Sequence, residues 1–355
     1  MSDLSLDPNL LRILCCPACR RDLDYDWSVP ELSCLRCRHT YPILDGIPVL
    51  FPVDVKSKLH ELFGRYWDSA ENAQMYDRFV EGTQSMMGRH IHVGELETTL
   101  EVLGSLRCER LLDCGCGQGR FFDQFPKSVF AVGIDASLNM LRICKVKRPN
   151  ARLVCGQLEN MPFRAGSLDR AISVRVLQHL PKQGRGVQEM ARVLGPDGQI
   201  VIHCYNEWST KACIKQIRIN SRWQPVFDAP FKWLGSETRP FAAWEMKLDT
   251  YSSVPEVRRW VRDAGLHVAE TRGTGFGFNV WLIDAFGLAT WVERRHPALL
   301  RRYLDLSLWL ERILGRISPF KLLMEKFVIR GELRRSQIAR LLATMSLTVT
   351  LPMPI

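Results

Sequence analysis

From Arg110 the chain reads RLLDCGCGQGRFF, an apolar strand that ends in Asp113 and is followed by Gly115, Gly117 and Gly119. Glycines spaced this way let the backbone turn tightly and let a ligand approach with no Cβ in the way. A helix is expected to come next. The spacing is G-x-G-x-G and not the G-x-G-x-x-G of dinucleotide sites. Asp113, two residues ahead of the first glycine, suits a bound group that carries an ammonium, which a pyrophosphate does not. The next strand, VFAVGIDAS, ends in Asp135, 22 residues after Asp113. A carboxylate there can accept two hydrogen bonds from ribose hydroxyls and would repel a 2′-phosphate.

Beyond Asp135 the chain alternates in the same manner. A helix LNMLRICKVKR leads to a strand ARLVCGQ, a loop LENMPFRAGS, a strand LDRAISV, a helix EMARVLG and a strand QIVIHCY. Apolar strands alternating with helices specify a parallel sheet with helices on both faces. Further on, Ser253 stands near the start of a helix that Gly265 terminates. That helix feeds a sixth strand, and KFVIRG supplies the last. At 355 residues, 46% hydrophobic and 24% charged, the chain can bury a real core, which excludes a dominantly disordered or coiled-coil protein.

The N-terminal region carries a second pattern. Cys16-Pro-Ala-Cys19 and Cys34-Leu-Arg-Cys37 are separated by fourteen residues that read as short strands around a turn. Each C-x-x-C lets two thiolates reach one ion from a tight turn, and two such pairs close a tetrahedral zinc shell with no open position for catalysis. Zinc is expected there as a structural ion, through Cys16, Cys19, Cys34 and Cys37, with Cys15 a bystander. A redox role is a poor fit, because no βαβ pattern surrounds the pairs.

These residues carry two resemblances. LLRILCCPACRRDLDYD with ELSCLRCRHTYPILDGIPVLF is similar to the zinc-ribbon activating subunit of tRNA and translation-factor methyltransferases, over about residues 9 to 53. LLDCGCGQG, GIDAS, GQLENMPF, SLDRAISVRVLQHL and ARVLGPDGQIVI resemble class I S-adenosylmethionine-dependent methyltransferases of the type 11 branch, over about residues 60 to 205. The resemblance implies an α/β fold, a Rossmann-like sheet of seven strands with helices on both faces, preceded by a small zinc ribbon. It also implies S-adenosyl-L-methionine as cofactor. Carried onto this chain, Asp113 and the turn Gly115, Gly117 and Gly119 would hold the methionine part, Asp135 the ribose and Ala136 the adenine face. Gln157 stands where the family has a carboxylate that reaches the adenine amino group, and its amide oxygen can accept the same hydrogen bond. The Leu158 N–H would meet adenine N1, and Ser173 and Val174 would lie beneath the transferring methyl. Tyr66, Trp67 and Tyr76 are candidates for an aromatic cap over the cofactor, with burial on the sheet as the alternative.

The expected divisions are a ribbon over 1–55, a methyltransferase domain over 56–335 with insertions at 207–250 and 279–319, and a tail over 336–355. The first insertion is rich in aromatics, Trp208, Trp233 and Trp244 among them, which suits an apolar or planar acceptor or a helical cover. Transfer from a sulfonium needs chiefly alignment and water exclusion, with a base for a hydroxyl acceptor. His179 is the candidate base, local packing being the alternative; His203 and Tyr205 are weaker candidates. Two acceptor classes compete: a small-molecule or lipid-linked compound, which is preferred, and a tRNA modified at its wobble uridine. A non-catalytic scaffold is the third reading, against which the intact glycines and acids argue.

The N-terminus MSDLSLDPNL lacks a signal-peptide pattern, so a reducing, cytoplasmic setting is expected. The apolar stretch from Gly275 to Val292 carries Asp284 at its middle and reads as a flap or buried insertion, not a span. The chain has net charge +10, and between Arg294 and Arg340 there are 12 Arg or Lys against 4 Asp or Glu. Such an excess attracts RNA or an anionic lipid surface, or simply forms solvated helix faces.

Overall fold

A computed structural model describes residues 6–26, 28–52, 69–80, 86–105, 108–209, 212–213, 250–275 and 288–333. Tyr66, Trp67, Trp233, Trp244, Asp284 and the 336–355 tail lie outside them, as do most of the 207–250 insertion and residues 279–287.

The ribbon contributes β1 (Leu23–Asp26), β2 (Glu31–Cys34), β3 (Thr40–Leu44) and β4 (Ile47–Leu50). The seven expected strands are β5 (Arg110–Cys114), β6 (Phe130–Asp135), β7 (Arg152–Gly156), β8 (Leu168–Val174), β9 (Leu194–Tyr205), β10 (His267–Thr274) and β11 (Lys326–Glu332). All eleven belong to one sheet in the order β1-β2-β3-β4-β7-β6-β5-β8-β9-β11-β10. The ribbon is therefore not a separate bead: β4 pairs in parallel with β7, Val49 opposite Cys155. The last strand does not close the sheet at its edge. It inserts antiparallel between β9 and β10, leaving β10 outermost.

Helices cover both faces: α1 (Pro8–Ile13), α2 (Ala70–Val80), α3 (Met86–Leu103), α4 (Leu138–Lys147), α5 (Gln183–Val193), α6 (Val254–Asp263), α7 (Leu288–Arg295), α8 (Pro297–Leu314) and α9 (Phe320–Leu323). Strand periodicity explains the two cores. In β5 Leu112 and Cys114 point into one apolar cluster and Leu111 into the other; in β9 Ile200 and Ile202 part from Val201 in the same way. A strand buried on both faces must be apolar throughout, as the continuous runs in the sequence are.

The ribbon docks by more than β4. Its Leu32, Cys16 and Cys34 join the same core as Val132 and Val154 of the parallel sheet. Arg20 donates to the Met161 carbonyl and, at 2.9 Å, to Glu189, a nearly fully buried carboxylate on α5. Arg192 (2.9 Å) and Arg185 (3.4 Å) complete a cage around Glu189. A buried carboxylate with three guanidiniums is costly to strip of one partner, so this contact locks the ribbon's orientation.

Candidate functional site

The glycine-rich turn is held open by backbone hydrogen bonds. Gly115 N–H and Cys116 N–H both donate to the Ile134 carbonyl, at 2.7 and 3.1 Å. Gly115, Gly117 and Gly119 have φ of 75°, 53° and 82°, the left-handed region that side chains avoid. Packing adds a second requirement. A Cβ at Gly115 would lie 2.3 Å from Val176 and one at Gly119 2.4 Å from Cys144, whereas one at Gly117 would meet only Met140, at 3.6 Å. Two of the glycines thus serve close packing, and the middle one leaves open space toward the cavity. The expected helix after the turn is a single 3-10 turn, Phe122–Gln124, because Pro126 comes at once and cannot donate to a helical ladder.

The turn borders a cavity of about 430 Å³ at the carboxyl ends of β5, β6, β7 and β8. Ligands bind at this end of open parallel sheets. Gly115, Gly117, Asp135, Ala136, Gln157, Leu158, Val174 and His179 line it. Asp113, Gly119 and Ser173 stand behind the wall: Asp113 is only 2% exposed and Ser173 fully buried. Asp135 Oδ2 accepts from Gly117 N–H at 2.8 Å and Oδ1 from Ser137 N–H at 2.9 Å, so this carboxylate fastens the turn to the start of α4. Burial pushes Asp113 up to about 7, an effect that Arg120 opposes and Asp135 reinforces. Asp135 is also raised by burial, against backbone hydrogen bonds from Ser137, Gly117 and Ala136.

Several buried polar atoms at this wall have no partner within the protein: Asp113 Oδ2, Gln118 Nε2, Gln157 Oε1 and Ser173 Oγ. Leaving such atoms unsatisfied costs about 1–3 kcal/mol each, which a bound polar ligand would recover. A cation near Asp113, an amide-like donor near Gln157 and hydroxyls near Asp135 match the methionine, adenine and ribose parts of S-adenosylmethionine. The residues present fit that cofactor.

Tyr76, Tyr205 and His203 were candidates from sequence, but the charged cluster beside them was not anticipated. Glu95 of α3, fully buried, is met by Arg120 (3.0 Å), Arg175 (3.4 Å) and Lys326 (2.7 Å). Burial alone would raise the Glu95 carboxyl, but Arg175, Lys326 and Arg120 hold it well below the usual range. Arg175, just past β8, has φ of 58°, a strained value for a non-glycine residue. Its guanidinium donates to the Tyr76 and Tyr205 hydroxyls, at 3.2 and 3.5 Å, and Tyr205 stacks on Tyr251 with ring centroids 5.1 Å apart. Tyr76, Arg120 and Arg175 line the cavity. The sequence signal for this cluster was weak: an arginine in SVRVLQHL and a lone glutamate in a helix of ordinary composition. His203 lies behind, fully buried, 3.1 Å from the Thr99 hydroxyl, and burial lowers its ring to about 3, so it is neutral. His179 sits in a 3-10 turn, its Nε2 3.3 Å from the Gln178 amide.

In the ribbon, the Sγ atoms of Cys16, Cys19, Cys34 and Cys37 lie within 4.8 Å of one another. Thiolates about 2.3 Å from a tetrahedral ion are about 3.8 Å apart, so the set fits zinc with little movement. Cys15 is buried and outside the group. The Tyr41 hydroxyl is 3.2 Å from Cys16 Sγ.

Comparison with known proteins agrees with both halves. Residues 112–202 match the model of a methyltransferase domain and residues 7–46 that of Trm112p-like proteins. A tRNA (carboxymethyluridine(34)-5-O)-methyltransferase of Mus musculus is 38% identical over 96 residues, which are 26% of this chain and 14% of that protein. An uncharacterized protein of Methanocaldococcus jannaschii is 33% identical over 166 residues, 46% of this chain and 64% of its own length. The chain thus spans less than two thirds of these curated relatives. Among solved structures, the [4+2]-cyclase SpnF superposes with a TM-score of 0.50 at 13% identity, over 79% of this chain and 99% of that one, and shares the fold alone. One polypeptide therefore joins a Trm112p-like zinc-ribbon domain to a methyltransferase domain.

Proposed function

We propose that the chain is an S-adenosylmethionine-dependent methyltransferase acting on a small-molecule or lipid-linked acceptor that carries an anionic group. The observation that carries the acceptor class is the pair of guanidiniums, Arg120 and Arg175, that line the cavity. Glu95 neutralises one of the three cations around it, and Glu325, 3.7 Å from Lys326, a second. A carboxylate or phosphate on the acceptor would balance the remainder in a place where water is scarce.

S-adenosylmethionine, when bound, supplies an already activated methyl carbon. The protein's part is to align and to exclude water. In this reading Asp113 and the turn Gly115, Gly117 and Gly119 hold the methionine end, and Asp135 accepts from the ribose. Gln157 Oε1 accepts from the adenine amino group, Leu158 N–H donates to the ring and Ala136 covers its face. Ser173 and Val174 support the reacting end, and Arg175 orients the acceptor. A carboxylate acceptor is already ionised near neutral pH and needs no base; for a hydroxyl acceptor His179 is the candidate. The ribbon over 1–55 holds a structural zinc and braces the edge of the 56–335 domain, and the setting is cytoplasmic.

Wobble-uridine tRNA is the second reading, favoured by the Trm112p-like domain and by the identity to the mouse enzyme. A transfer assay with labelled cofactor against lipid extract, acidic metabolites and total tRNA separates the two. Label entering tRNA alone would overturn the small-molecule reading, and label entering none of the three, with cofactor bound, would overturn both.

A further inference from the structure

The segment from α7 to α9 turns apolar side chains outward. Of fourteen exposed large hydrophobic residues among the described ones, eight lie between Trp291 and Leu323. Scattered singles need no explanation, but a concentration in so short a stretch does. On α8, Leu300, Leu304, Ser307 and Glu311 form the buried side. Arg312 on the flank bonds Glu97 of α3 at 2.9 Å, and Leu308 approaches Gly94. Leu299, Leu306 and Ile313 recur every seven residues on the opposite side, 61%, 54% and 41% exposed, and Trp309 beside them is 56% exposed. Seven residues are almost two helical turns, so these side chains form one outward ridge. Past α8 in the chain Ile317, Phe320 and Leu323 are exposed as well, and Trp291 of α7, ahead of it, is 50% exposed.

The ridge is bordered by positive charge. Arg294, Arg295, Arg301 and Arg302 are exposed with Asp305 as the exposed acid near them, while Arg312 and Arg316, also exposed, are paired with Glu97 and Glu101 of α3 at 2.9 and 3.7 Å. Arg295 rests 5.6 Å over the Trp291 ring. Apolar residues with tryptophans, flanked by arginine, suit the boundary between lipid headgroups and acyl chains. Among the described residues no helix is long and apolar enough to cross a membrane, so the contact would be peripheral.

We infer that the ridge of α8, with Trp291 and the residues around α9, docks this protein onto an anionic lipid bilayer. Charge complementarity decides the occupant. A symmetric second copy would set the same arginines against one another, at a cost in like-charge repulsion. RNA would engage the arginines but leave Leu299, Leu306 and Ile313 with nothing to gain. The inference is independent of the acceptor: it holds whether the substrate lies in the membrane or beside it.

The test is vesicle flotation with the full zinc-loaded chain, using phosphatidylcholine alone and phosphatidylcholine mixed with phosphatidylglycerol. Binding is expected on the mixed vesicles, weakened by salt. The pair Leu306→Ser and Trp309→Ser should weaken it by about tenfold or more without lowering the melting temperature, since both side chains are exposed. Arg301→Ala with Arg302→Ala should reduce the preference for the anionic vesicles by about tenfold or more. The fluorescence shift to the blue on binding should shrink when Trp309 is absent. Absence of binding to the anionic vesicles, or binding that the ridge variants leave unchanged, would overturn the inference. So would a dimer in sedimentation velocity that those variants dissociate, or tRNA binding that depends on the arginines and outcompetes the vesicles.

Discussion

Acidification should weaken cofactor binding through Asp113. In the free protein burial holds its proton up to about 7. A bound ammonium would return the carboxyl to an ordinary value of about 4. Binding below pH 7 must then release a proton, and affinity rises with pH. At pH 5.5 roughly 3% of Asp113 is ionised and at pH 7.5 roughly three quarters, so the dissociation constant should fall about 25-fold between them, about 2 kcal/mol. Asp135, also raised, works in the same direction. The upper limit of pH 7.5 stays below the loss of the ligand's own ammonium proton, at about 8. For stability the sign is opposite. The native state holds a proton that the unfolded chain has lost above about 4, so the contribution of Asp113 is fully present below that pH and disappears as pH rises through about 7. Calorimetric titration with S-adenosylmethionine at the two pH values, in buffers of different ionisation enthalpy, reads both the affinity and the proton. A dissociation constant equal at pH 5.5 and 7.5, or an Asp113→Asn variant that keeps the full slope, would refute the argument.

The two glycine roles predict opposite phenotypes. Gly115→Ala, with its Cβ 2.3 Å from Val176, should destabilise the fold by about 1–3 kcal/mol in urea denaturation. Gly117→Ala, whose Cβ would make only an ordinary contact with Met140 at 3.6 Å, should cost about 1–2 kcal/mol of backbone strain and lose cofactor affinity by a larger factor. Arg175→Ala should raise the Michaelis constant for an anionic acceptor about tenfold or more while leaving the cofactor dissociation constant unchanged, and Arg175→Lys should recover part of it. Metal analysis should find one zinc per chain, and stripping it should lower the melting temperature of the whole protein, since Cys16 and Cys34 share a core with the parallel sheet. A chain that loses zinc with an unchanged melting curve would show that the ribbon is energetically separate.

The parallel sheet was legible because its strands are buried on both faces and so read as continuous apolar runs, while the acids at the ends of β5 and β6 and the glycines between them break those runs in a distinctive place. The four ribbon cysteines were legible through spacing alone. Two things were not. The junction of β4 with β7 depends on backbone pairing between IPVL and RLVCG, and pairing leaves no mark on side-chain identity. The Glu95 cluster gathers residues from α3, the glycine turn, the end of β8 and β11, which are up to 231 positions apart and unremarkable one by one. The shortened helix after Gly119 has its cause in the sequence itself, where Pro126 leaves no room for more than one turn.

The union of β4 with β7 has a consequence for traffic between molecules. A sheet edge is a template on which any extended chain can pair, and proteins guard such edges. Here the guard is tethered to what it protects, at an effective concentration that no dissociable partner matches. The β4 edge, together with Arg20 and Asp7, is occupied by its own neighbour, Asp7 holding Arg152 at 2.5 Å and Arg20 holding Glu189 at 2.9 Å. That face of the ribbon is consequently closed to any other chain while the two pair, and the ribbon is made one for one with the sheet it covers.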